Sequence, residues 1–81
     1  MAASAERSGG DIFHPPVVVR PPTRGAHPYR RVEIYGRPVG RAYGAEDVAE
    51  FLRRAGVVEP DLDDPDLVGW QGGDRTVWST A

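Results

Sequence analysis

A chain of 81 residues leaves room for one small domain, whose core is marginal unless a disulfide, a metal or self-association helps. It has no cysteine, which excludes disulfides, thiolate metal sites and cysteine nucleophiles. All ten basic residues are arginine, as codon usage in a GC-rich bacterial genome would produce, and the net charge of −2 hides a split. Residues 1–44 carry seven Arg against three acids (+4), and residues 45–81 carry three Arg against nine acids (−6).

Residues 1–28 start with small polar residues and continue as HPPVVVRPPTRGAHP. No apolar run there is long enough for a secretory signal, so a cytoplasmic protein is expected. Pro15, Pro16, Pro21, Pro22 and Pro28 are five of the chain's eight prolines. Proline removes backbone donors and biases its predecessor towards extended geometry. This density predicts a disordered leader over 1–28, polyproline-II-like from Pro15 to Pro22. Pro15, Pro16, Arg20, Pro21 and Pro22 are candidate partner-binding residues, as a linear motif for an aromatic groove or a sheet edge. His14 and His27 each precede proline without carboxylates at ligand spacing, so no metal site is expected.

The ordered domain is expected over 29–81. In RRVEIYGRPVGRAYG, Val32 and Ile34 alternate with Arg31, Glu33 and Tyr35, the period of a half-buried strand. Val39–Tyr43 reads as the return strand. Pro38 cannot donate the bond that closes a two-residue turn, which favours a loop at 36–38. That loop sets Glu33 opposite Arg41, Arg31 opposite Tyr43, Tyr35 opposite Val39, Ile34 opposite Gly40 and Val32 opposite Ala42. Tyr35, Arg37, Arg41 and Tyr43 complete the candidate partner-binding set.

AEDVAEFLRRAG predicts a helix over 45–55. Val48, Phe51, Leu52 and Ala55 share one face, acids fill the first turn and arginines the last, and Gly56 is placed to cap it. EPDLDDPD, residues 59–66, has five acids in eight positions. It lacks the glycine and the glutamate that a calcium-binding helix–loop–helix requires, and reads as a solvated loop. LVGWQ-GGD-RTVWS then predicts a second hairpin, with Val68 opposite Trp78, Trp70 opposite Thr76 and both tryptophans on one core-facing side.

The expected fold is therefore α+β, ββαββ: one helix on an antiparallel sheet behind a disordered Pro-rich leader. Its expected core is Val32, Ile34, Phe51, Leu52, Val57, Val68, Trp70 and Trp78. The ordered region holds no histidine, no cysteine and no glycine spacing suited to phosphate, so neither an enzyme nor a cofactor is expected. A non-catalytic protein-interaction module, binding a protein partner or its own copy and no membrane, fits the small core and the split charge. The alternative is a small nucleic-acid-binding regulator. It would use Arg30, Arg31, Arg37 and Arg41, interleaved with Tyr29, Tyr35 and Tyr43 on the first hairpin.

Overall fold

The structure, a computed structural model, describes residues 15–80. In chain order the elements are β1 (Val17–Val19), β2 (Arg30–Ile34), β3 (Arg37–Ala42), α1 (Ala45–Arg54) and β4 (Val68–Trp70). The strands form one mixed sheet in the order β3-β2-β1-β4. β2 is antiparallel to both neighbours, and β1 runs parallel to β4. One helix packed on one face of a four-stranded sheet makes this a small α+β domain.

Three features differ from the sequence expectation. Val17–Val19, expected inside the leader, is a strand in the middle of the sheet. A run of three β-branched residues is well suited to a strand with neighbours on both sides, and its prolines flank it without interrupting it. Val17 and Val19 are buried, with Ile34 and Val32 opposite on one side and Val68 and Trp70 on the other. The order is thus βββαβ, not ββαββ. Residues 15–28 belong to the fold, and the earlier part of the expected leader lies outside the described residues.

The first hairpin exists, in another register. Its turn is Tyr35-Gly36, at φ 51° and 80°. Two successive positive φ values are what a type I′ two-residue hairpin turn requires, and they match the twist of the strands. Ile34 then faces Arg37, Glu33 faces Pro38 and, past a bulge, Val32 faces Gly40 and Arg31 faces Arg41. Pro38 does not prevent this. Ladder pairs alternate, so the pair after the turn-flanking one exchanges no hydrogen bonds, and β3 is an edge strand.

The second hairpin does not form. β4 ends at Trp70, and residues 71–78 make an irregular strap instead of a return strand. Trp70 and Trp78 still meet, edge to face at 6.2 Å between ring centroids. Both are half-buried against the core.

The helix follows its sequence signals closely. Val48, Ala49 and Leu52 face the sheet and are buried. Asp47 accepts a 2.8 Å bond from the Tyr43 N–H, stabilising the entry to the helix. At the other end Gly56 takes φ 99°, and the Val57 N–H donates back to the Leu52 carbonyl at 2.9 Å. Those two observations are a left-handed glycine cap. Phe51 lies over Gly40 of β3, where a Cβ would come 2.6 Å from the ring. The expected core residues all join the cluster, and Val17, Val19, Val48 and Leu62 add to it.

Candidate functional site

Strand parity divides the hairpin between two environments. Arg30 and Val32 of β2 point towards the helix side and are buried, while Arg31 points the other way and is exposed. On that open side Arg31 stands directly opposite Arg41 of β3. Cross-strand partners lie about 5 Å apart at Cα, and like charges so placed repel. Neither has a carboxylate within ion-pair distance among the described residues. Glu33, expected to face Arg41, is held instead by Arg20 at 3.4 Å.

Arg41 stacks on Tyr29, 4.5 Å from the ring centroid, and Tyr29 contacts Tyr43 at 5.9 Å. The stack orients the Arg41 guanidinium over an aromatic face and leaves its N–H edges available. Arg31, Arg41, Tyr29 and Tyr43 therefore form one cluster on and beside the outer ends of β2 and β3. Among the described residues, no element packs over this side of the sheet.

Other candidates lie elsewhere. Arg37 and Tyr35 sit at the β2–β3 turn, away from Arg41, and Tyr35 is 82% exposed. Tyr35 donates its N–H to the Pro16 carbonyl at 2.7 Å. Pro16, Ile34, Tyr35, Leu52, Val57 and Leu67 border a small apolar groove of about 420 Å³. Pro15 packs on Gly69, Pro21 packs on Gly72 and Pro22 is buried, so the prolines serve the fold's own surface. Arg20, besides holding Glu33, donates to the Gln71 side chain at 3.0 Å.

Arg30 is the residue whose role sequence reasoning missed. Its side chain is fully buried, and all five guanidinium N–H groups donate to backbone carbonyls. Nε reaches Arg20, one terminal nitrogen reaches Asp74 and Val77, and the other reaches Gln71 and Gly73, at 2.7–2.9 Å. Trp70 and Trp78 flank it at 5.1 and 5.5 Å. Burial lowers the Arg30 pKa, and the Asp74 carboxylate opposes that shift. The positive charge is balanced by carbonyl dipoles and ring faces, with no carboxylate in ion-pair contact among the described residues. No local sequence signal reports this arrangement, since its acceptors lie 10 to 47 residues away.

The acids of residues 59–66 belong to a loop tied to the core. Leu62 anchors the 59–66 loop in the helix-side core, and the Trp70 indole N–H donates to its carbonyl at 2.9 Å. Asp61 and Asp64 each accept the backbone N–H two residues on, at 3.0 and 2.9 Å, and Asp63 pairs with Arg75 at 3.2 Å. Glu59 and Asp66 have no such partner among the described residues. Among the described residues no three His, Cys, Asp or Glu side chains converge as a metal site, and no helix is long and apolar enough to cross a membrane.

Comparison with protein-family models, with curated proteins and with solved structures finds no significant match for this chain.

Proposed function

We propose that the chain is a non-catalytic protein-interaction module whose binding surface is the Arg31–Arg41 face of the sheet. One observation carries the reading: two arginines stand directly opposite each other on an open face, without a carboxylate partner among the described residues. Such a pair is unfavourable in the free chain and is relieved by an acidic partner that meets both guanidinium forks. Tyr29 and Tyr43 beside it supply the rigid aromatic area that protein interfaces favour.

Nucleic acid fits this face less well. Arg30 is buried and Arg37 lies at the turn, so the face offers two arginines without a carboxylate partner among the described residues, fewer than the roughly 6–10 phosphate contacts of a strongly salt-dependent binder. Tyr29 already carries Arg41 on its ring and Tyr43 against it, so of these two rings the exposed Tyr43 is the one open to base stacking. The test is capture of partners from nuclease-treated extract of the native cell, with the wild-type chain and with Arg31→Glu/Arg41→Glu. Protein partners retained after nuclease and lost with the double substitution support the reading. Capture that disappears with nuclease treatment would replace it with the nucleic-acid alternative.

A further inference from the structure

We propose that the occupant of the arginine face is a second copy of this chain, with the acidic 59–66 loop of one copy seated on the Arg31–Arg41 pair of the next. The proposal rests on the reading of that face as a protein-binding surface and names its partner. Charge complementarity is the first argument. The loop carries five acids and no base, and Glu59 and Asp66 are without partners among the described residues. The face carries Arg31 and Arg41, in the same condition.

Preorganisation is the second argument. Two aspartate turns, the Leu62 anchor and the Trp70–Leu62 bond hold the loop in one shape, so little chain entropy is lost when it docks. The facing arginine is preset too, because Tyr29 holds Arg41. The third argument is geometry. Within one chain no ion pair joins loop and face among the described residues: Leu62 packs into the helix-side core, while Arg31 lies on the opposite, exposed side of β2. The contact therefore runs between copies in this proposal, head to tail. Such a contact joins two different surfaces and builds rings or open chains instead of stopping at a symmetric pair.

The test uses the full chain and two charge-reversed variants, Arg31→Glu/Arg41→Glu and Glu59→Arg/Asp66→Arg, each checked for native circular dichroism. Sedimentation equilibrium is run at low ionic strength, about 0.01 M, where charges act over roughly 30 Å, and again at high salt. The wild type should gain average mass steadily with concentration at low salt and return to monomer at high salt. Each variant alone should remain monomeric, and an equal mixture of the two should associate again, since each then supplies the complement of the other. A monomeric wild type at low salt would overturn the proposal, as would folded variants that fail to associate when mixed, or a face variant that still associates alone. Any of these results, with face-dependent capture of a different protein intact, would remove the second copy as occupant and leave the protein-binding reading standing.

Discussion

The Arg30 guanidinium stands 5.1 Å from the ring of Trp70 while donating to the carbonyls of Gln71 and Gly73, which follow that tryptophan in the chain. One side chain from β2 thus determines where the strap beyond β4 runs. Lysine at this position would keep the charge but bring three donors in place of five, without the planar fork. At least two carbonyls would be left to water or unsatisfied, at about 1–3 kcal/mol for each that remains buried. Arg30→Lys should lower stability by about 2 kcal/mol, measured by urea unfolding. A change below about 0.5 kcal/mol, the scale of ordinary surface substitutions, would mean that the cage contributes little.

Trp78 closes that cage from the other side, 5.5 Å from Arg30, and donates its indole N–H to the Arg75 carbonyl at 2.6 Å. Fully buried tryptophans cost about 3–5 kcal/mol on truncation, and a half-buried one should cost roughly half as much. Deleting residues 77–81 removes Trp78 and also the Val77 carbonyl that Arg30 uses. A domain of this size has little more than about 5 kcal/mol to lose. The deletion should therefore abolish a cooperative melt and shift tryptophan emission to the red. Retention of both the melt and the emission maximum would show that the strap is dispensable.

The helix was legible almost to the residue, because its periodicity, end charges and Gly56 cap are all local signals. The first hairpin was legible as an element but not in register. Tyr35 at φ 51° is an uncommon choice for a turn, and Gly36-Arg37-Pro38 offered a more ordinary one. That shift matters for the site: it places Arg31 opposite Arg41 and gives Glu33 to Arg20. The strap was not legible, because its carbonyls bond to the Arg30 side chain in place of a neighbouring strand.

β1 is hidden in the sequence for a different reason: its three valines sit within a proline-dense stretch. The Val17 N–H donates to the Leu67 carbonyl at 3.1 Å, and Val17 and Val19 are buried. Hydrogen exchange should therefore show the Val17–Val19 amides protected to nearly the global unfolding free energy, as expected for a central strand. Exchange at the rate of an unstructured peptide would contradict the central placement of β1.

Gly40 is where β3 lies directly against the Phe51 ring of α1. It has φ 154°, and a Cβ there would lie 2.6 Å from the Phe51 ring. Overpacking of this kind costs about 1–3 kcal/mol, with the backbone angle adding to it. Gly40→Ala should lower the urea midpoint, and adding Phe51→Leu should recover part of the loss by clearing the ring. Two substitutions whose effects simply add would show that the ring is not what Gly40 accommodates.

Asp74 links the strap to pH. The Thr76 hydroxyl donates to its carboxylate at 2.6 Å and the Thr76 N–H at 2.9 Å. These two bonds, the hydroxyl first, lower its pKa below the ordinary aspartate value, with Arg30 and Arg75 adding smaller contributions. The sign follows from linkage. A carboxyl whose folded pKa is depressed adds stability above the unfolded value, about 3.9, and loses it as pH falls through the lower folded value. Because the group is at the surface, the effect should be small, local to the strap and confined to acid. Carboxyl NMR titration should place Asp74 below the free-peptide value, and Thr76→Val should bring it back up by removing the hydroxyl donor. The turn that Asp74 anchors supplies two of the carbonyls that hold Arg30, so its acid loosening should also alter tryptophan emission in the same pH range. An Asp74 that titrates normally in the wild type, or is unmoved by Thr76→Val, would show that the Thr76 bonds do not hold this turn in solution.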